Sequence, residues 1–302
     1  MKLIVQPRDG LSSFISAIRM AKKEIDLLIF RFDRPEIQKA LDAAVKRGVI
    51  VRTLIAHTNR GGEKNLRKLE QKLLEVGATV ARTGDEFVRY HGKMMVIDRT
   101  ELWLMAFNLT ALDTSGSRSF GIVTRRKGEV ADALKLFEAD TTRQPFSPNG
   151  GQLVVSPENS RTMLADFVAK AKHQLLIYDV KVSDAAIVKL LKERVKHGVD
   201  VRILGKVGNN ARDLPHEKYP GSRLHARAII RDHRDAFVGS MSLRRLELDN
   251  RREAGIIVRS GHVVAELLSI FEEDWAQTDS GKKQEPEKKA DTEERQDAHA
   301  EA

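Results

Sequence analysis

Apolar positions along the chain come in short continuous runs that alternate with segments of helical period. Leu3-Ile4-Val5, closed by Pro7, predicts a strand over residues 3–6, and Ser12 or Ser13 can cap a helix running to about Lys23. Glu24 to Phe32 has the apolar centre of a buried strand. Pro35 to Arg47 places Ile37, Leu41, Ala44 and Val45 on one helical face before Gly48 stops it. Val49 to Ala56 is the next strand, followed by a basic loop, His57 to Lys64, that contains Gly61-Gly62. A helix over about Asn65 to Val76 turns Leu66, Leu69, Leu73 and Leu74 inward and ends at Gly77. Further strands are expected over 78–81, 90–98, 101–106 and 120–124, then a helix over 129–140. This alternation predicts an α/β fold with sheet covered by helices.

The pattern then repeats. Leu3-Ile4-Val5-Gln6-Pro7 is matched by Leu153-Val154-Val155-Ser156-Pro157, and Arg47-Gly48-Val49 by His197-Gly198-Val199, both at an offset of 150. Further on the offset falls to 134, so the first half carries 16 extra residues, about the length of its leucine-rich helix and the strand after it. The turn-rich stretch TRQPFSPNGG divides the halves. The expected organisation is a first repeat over 1–143, a linker over 144–152, a second repeat over 153–278 and a disordered charged tail over 279–302. Related halves pack most naturally about a pseudo-twofold axis, as an internal dimer within a monomer.

Charge narrows the partner classes. The chain carries a net charge of +9, and its last 24 residues hold five Lys or Arg against eight Asp or Glu. The body is therefore more basic than the whole, which fits an anionic partner: nucleic acid, an anionic membrane contacted peripherally, or a phosphorylated substrate. Cysteine is absent, which removes disulfides, thiolate nucleophiles and Cys-based metal sites. No apolar run approaches the length of a membrane span, and the start of the chain does not read as a signal peptide, so a cytoplasmic location is expected.

The candidate chemistry lies in two stretches 134 residues apart, Tyr90-His91-Gly92-Lys93-Met94-Met95-Val96-Ile97-Asp98 and Leu224-His225-Ala226-Arg227-Ala228-Ile229-Ile230-Arg231-Asp232. Strand alternation puts His91 beside Lys93 and His225 beside Arg227. Brought together, two imidazoles and two cations can hold a phosphoryl group. One neutral His can attack phosphorus, and the other can donate a proton to the leaving oxygen. Lys93 and Arg227 can neutralise the charge that develops, with Asn108 and Ser240 or Ser242 adding neutral hydrogen bonds. No metal or other cofactor is expected.

The doubled His-x-Lys-x4-Asp pattern, followed by Asn and then by Glu before Gly-Ile, resembles the phospholipase D superfamily over about residues 1–278. The resemblance implies two α/β repeats with one active site at their interface. It also implies phosphodiester hydrolysis or transfer through phosphohistidine, with His91 as nucleophile and His225 as acid and base. The departures are specific. Arg227 replaces a lysine, Ser242 stands where Asn is expected, and Ser119 takes the place that Glu253 fills in the second repeat. A carboxylate at that place would orient a histidine and raise its basicity, so the two histidines are expected to be unequal. Asp98 and Asp232 close their motifs, with a bridging or a catalytic role open to each.

Three readings follow for the function. One is an enzyme acting on phospholipid phosphodiesters, with Met94, Met95, Phe107 and Met241 near the motif. Another is a nuclease, favoured by the basic body, although aromatics make up only 5% of the chain. The last is an anion-binding scaffold weakened by Arg227, since arginine is bulkier and planar. His57, His173, His197, His216, His233, His262 and His299 show no ligand spacing. His57 and Arg60 begin a loop that could touch substrate, and Gly205-Lys206-Val207-Gly208 reads as a rim loop at the equivalent place.

Overall fold

The computed structural model describes residues 1–57 and 63–283. Its strands form two sheets. The first sheet has seven strands in the order Lys2–Gln6, Ser119–Thr124, Glu101–Met105, Met94–Ile97, Glu24–Ile29, Ile50–Ile55 and Thr79–Arg82. The second runs His216–Glu217, Asp200–Val207, Gln174–Val182, Ala228–Arg231, Asp235–Gly239 and Arg251–Val258. At its edge lies Arg89–Tyr90, a strand contributed by the first half. Leu153–Ser156 also pairs with Arg251–Val258, just as Lys2–Gln6 pairs with Ser119–Thr124. The two repeats thus share one topology, related by a pseudo-twofold axis.

Both faces of each sheet are buried, which explains why the strands read as continuous apolar runs. In Glu24–Ile29, Ile25, Leu27 and Ile29 turn outward onto the helices Ser12–Met20, Pro35–Lys46 and Glu63–Glu75. Leu28 turns the other way, into a core shared by both halves. The second half repeats this with Leu175 and Ile177 facing its own helices and Leu176 and Tyr178 facing the shared core. The helices Lys127–Thr142 and Gly261–Ala276 complete that core with Phe137, Phe271 and Trp275. Met94, Met95, Phe107 and Met241 are all buried in these cores.

Four expectations need correction. Leu74, expected to face inward, is 56% exposed. Most of the 16 extra residues of the first half form the 13-residue helix Glu63–Glu75, and the strand after it is not an addition, because it has a two-residue counterpart at His216–Glu217. Gly205, Lys206 and Val207 finish a strand and are not loop. The charged tail starts with a helical turn, since residues 279–283 are helical. The rest of the tail, His299 with it, and Arg60, Gly61 and Gly62 lie outside the described residues. Among the described residues no helix is long and apolar enough to cross a membrane.

Candidate active site

The strand expected over the first motif is shorter than its apolar pattern suggests. It covers Met94–Ile97, and residues 91–93 form a crossing between sheets. Before the crossing, Arg89–Tyr90 pairs in parallel with Arg251–Arg252 of the second half. After it, Met94–Ile97 pairs with its own half. At the crossing the His91 N–H donates to the Arg252 carbonyl at 2.7 Å. The second motif crosses the same way, with the His225 N–H donating to the Arg118 carbonyl at 3.0 Å. Arg118 and Arg252 are themselves 134 residues apart, so each motif is docked on the equivalent strand of the other half.

Alternation then sorts the side chains. Tyr90 and Arg252 face one way and meet at Asp140, at 2.6 and 3.1 Å. Arg89, His91, Arg251 and Glu253 therefore face the other way, into the site. His91 Nδ1 lies 2.9 Å from Glu253 Oε2, which also accepts from the Ser240 hydroxyl at 2.6 Å. An acceptor at Nδ1 fixes the proton there and leaves the lone pair on Nε2. On the opposite side, Ser119 donates to the His225 carbonyl at 3.1 Å and offers that ring no acid. The carboxylate comes instead from Asp113, whose Oδ1 lies 3.3 Å from His225 Nδ1. Each imidazole thus has an acid from the other half beside it, His91 through a hydrogen bond and His225 through an ion-pair contact without one.

Asp113 is itself held in place. It follows Thr110, whose hydroxyl caps the short helix Ala111–Gly116, and it accepts from the Asn108 amide N–H and Nδ2 at 2.8 and 2.6 Å. Arg223 Nη1 adds an ion pair at 2.5 Å. Burial works to raise the Asp113 pKa, but His225, Arg223 and Asn108 outweigh it and hold the carboxyl below its ordinary value. In the second half Glu247 occupies the corresponding place and accepts from the Ser242 N–H at 2.6 Å.

The motif cations are buried in matching ways. Lys93 Nζ donates to the His91 carbonyl at 2.7 Å, and Arg227 Nη1 to the His225 carbonyl at 3.1 Å. Arg227 also reaches Ser242 Oγ through Nε at 3.3 Å. Serine is smaller than asparagine, so Ser242 leaves room for the longer side chain and gives it an acceptor. The two departures of the second repeat therefore form one contact. Lys93 is only 2% exposed, and burial brings its pKa down to about 7 against the pull of Glu253. His91 is 6% exposed, and burial followed by Lys93, Arg227 and Arg89 holds it well below the usual imidazole value. Burial and Arg227 lower His225 as well, with Asp113 opposing them. Glu253 is pushed upward by burial, against Lys93, Ser240 and Arg227.

The sequence candidates separate cleanly. His91, Lys93, His225, Arg227, Glu253, Asn108, Ser240 and Ser242 converge. Asp98 and Asp232 sit past the other ends of their strands, where Asp98 accepts from the N–H groups of Lys22, Lys23 and Glu24. Asp232 does the same for Lys172, His173 and Gln174. His57 donates its amide to Thr83 Oγ1 at 3.0 Å. Sequence reasoning missed Asp113, Glu247, Arg223, Arg89 and Arg251. A usable signal existed, because Asp113 and Glu247 are acids at the repeat offset of 134, as Arg89 and Arg223 are arginines.

A cavity of about 420 Å³ opens beside this cluster and reaches Asn108, Asp113 and Arg223. Its lining mixes Phe30, Phe32, Leu66 and Leu112 with Lys68 and Lys72.

The comparisons agree with this architecture. The family model for the phospholipase D-like domain of cardiolipin synthase matches residues 14–141 and 164–275. A polyphosphate kinase from Porphyromonas gingivalis superposes with a TM-score of 0.75 at 18% identity, over 90% of this chain but 46% of its own. The chain thus spans about half the length of that enzyme. A phosphatidylserine synthase from Haemophilus influenzae Rd KW20 gives a TM-score of 0.63 at 11% identity, over 91% of this chain and 85% of its own. Nuc, a phospholipase D family member from Salmonella typhimurium, covers 49% of this chain and 97% of its own at 20% identity and a TM-score of 0.42. No curated protein matches the chain by sequence. With both repeats matched and both motif histidines held across one interface, the chain belongs to the cardiolipin synthase-type phospholipase D-like domain family.

Proposed function

We propose that the protein is a metal-independent phosphodiesterase that cleaves or transfers a phospholipid phosphodiester through a phosphohistidine on His91. The observation that carries this reading is the crossed pairing of His91 with Glu253 and His225 with Asp113 across one interface. In the first step His91 Nε2 forms a bond to phosphorus, and the leaving oxygen departs with a proton from His225. In the second step water or an alcohol loses its proton to His225 and attacks phosphorus, and the P–N bond breaks. Lys93 and Arg227 supply the positive charge around the non-bridging oxygens. The low pKa of His91 keeps it neutral and nucleophilic near pH 7. A bound phosphodiester anion, together with Asp113, favours the imidazolium that His225 needs.

Support for lipid comes from the surroundings of the site. The adjoining cavity is partly apolar, and Asn108 Oδ1, buried without a hydrogen-bond partner, offers an acceptor to a hydroxyl. Leu112, 61% exposed, lines that cavity with Lys68, Lys72 and Arg223, and Val88, 62% exposed, precedes Arg89 in the chain. Apolar tips with basic neighbours suit peripheral contact with an anionic bilayer.

The test uses labelled phosphatidyl substrates with EDTA present, quenched in alkali because phosphohistidine is acid-labile. Label should remain on wild type and be lost with His91→Ala. Label that survives His91→Ala and vanishes with His225→Ala reverses the roles. Turnover of single- or double-stranded nucleic acid without turnover of lipid replaces the substrate assignment with the nuclease reading.

A further inference from the structure

The two sides of the site differ in charge, with Arg251 and Glu253 on the His91 side where Ser117 and Ser119 stand on the other. On the His225 side Arg223 is neutralised by Asp113 of the first half at 2.5 Å, with Ser117 Oγ accepting at 2.6 Å. At the repeat offset of 134 the corresponding residues are Arg89, Glu247 and Arg251. Arginine thus stands where the first half has serine. Glu247 accepts from Arg251 at 3.0 Å and pairs with Arg244 at 3.3 Å. Arg89, displaced from its symmetry-expected acid, makes no ion pair among the described residues. Its guanidinium rests over the Phe30 ring, 4.5 Å from the centroid. The same ring lies edge-on to His91 at 5.0 Å.

Arg89 and Arg251 are direct partners in the parallel register, and both face the site beside His91 and Glu253. Their Nε atoms are buried and unpartnered. The two guanidiniums repel each other, and while Arg251 pairs with Glu247 at 3.0 Å and stands 3.9 Å from Glu253, the half-buried Arg89 has only a neutral ring to offset its desolvation. Burial and Arg251 also lower the Arg89 pKa. Two planar donors with free Nε–H groups match the oxygens of a phosphate. Lys93 and Arg227 already serve the reacting phosphoryl group.

From this asymmetry we infer that Arg89 and Arg251 form a second phosphate subsite on the His91 side, for a substrate carrying another phosphate next to the scissile one. This rests on the phosphodiesterase reading above and narrows its substrate class.

The experiment measures binding by calorimetry, with full-length protein in EDTA, using inorganic pyrophosphate and orthophosphate as probes. Pyrophosphate should bind at least about 10-fold more tightly than orthophosphate, and Arg89→Gln should remove most of that preference. Arg251→Gln should do the same. Should it unfold through loss of the Glu247 contact, Arg89→Gln decides alone, because its removal strands no carboxylate. Equal affinity for the two anions, or a preference that persists in Arg89→Gln, overturns the subsite. The phosphohistidine trap separates the two claims. Label trapped without a pyrophosphate preference refutes only the subsite. The preference without any trapped label upholds the subsite and refutes the catalytic reading.

Discussion

Asp113 Oδ1 lies 3.3 Å from His225 Nδ1, and the two residues come from opposite halves of the chain. Ser119 stands where the second repeat has Glu253, and a side chain six positions earlier supplies the charge from the first half. If His225 protonates the leaving oxygen, Asp113 positions that ring and stabilises its imidazolium. Asp113→Asn keeps the shape and removes the charge. With an alkoxide leaving group kcat should fall by about 10²-fold or more, within the usual range for general acid catalysis. With a p-nitrophenyl ester, whose leaving group needs no proton, the loss should be much smaller. Glu253→Gln acts through the nucleophile and should slow both substrates alike. Equal losses for Asp113→Asn on both substrates would remove this role.

The buried ammonium of Lys93 sets an alkaline limit. Its pKa is lowered by burial from the ordinary lysine value to about 7, so the cation is present below that pH and lost as pH rises through it. The profile of kcat/KM, which reports the free enzyme, should therefore fall above about pH 7. Lys93→Arg keeps its charge at every accessible pH. Whatever its absolute rate, its profile should lose that alkaline fall. A profile unchanged in shape would assign the limb to another group.

Arg227 and Ser242 should behave as a unit. Lysine at 227 cannot reach both the His225 carbonyl and Ser242 Oγ as the guanidinium does at 3.1 and 3.3 Å. Arg227→Lys alone should lower kcat/KM by about 10-fold, on the scale of small misplacements at a reacting centre. Adding Ser242→Asn rebuilds the Lys93 and Asn108 arrangement of the first half and should recover much of the loss. The coupling in a double-mutant cycle should be about 0.5–3 kcal/mol. A rate gain from Arg227→Lys alone would mark the natural chain as attenuated.

Asp98 and Asp232 should matter for stability. Each gathers three backbone N–H groups at a turn, and each carboxyl stays below its ordinary value because these amides outweigh burial. Asp98→Ala should cost about 1–3 kcal/mol, the usual range for stranded donors. That corresponds to a melting temperature lower by about 2–4 °C per kcal/mol in a chain of this size. A depressed carboxylate stabilises the fold fully above about pH 4 and loses that effect as pH falls through its native value. The difference between wild type and Asp98→Ala should vanish on acidification. Activity per folded molecule should be unchanged, and a selective loss of kcat would place Asp98 in the chemistry after all.

Much of this protein was legible in its amino-acid order. Short apolar runs specify strands because both sheet faces are buried, and the offsets of 150 and 134 specify two related halves. His91, Lys93, His225 and Arg227 could be selected because their spacing repeats, and Asn108 and Glu253 because each follows its motif in the resembling pattern. Asp113 escaped because its role depends on a distance across the interface and not on spacing from its own histidine. Asp98 and Asp232 could not be sorted from the site residues, since motif spacing alone does not say which end of a strand faces the interface.

The sequence alone therefore determined the layers, the duplication and the inventory of reactive groups, since these follow from local periodicity and composition. Tertiary structure decided the partners. Parallel pairing of Arg89–Tyr90 with Arg251–Arg252 sets which faces meet, and so gives His91 its acid from the second half and His225 its acid from the first. Register between segments more than 100 residues apart is fixed by packing and hydrogen bonding across the whole interface. No local pattern encodes it, which is why the asymmetry of the site appears only in three dimensions.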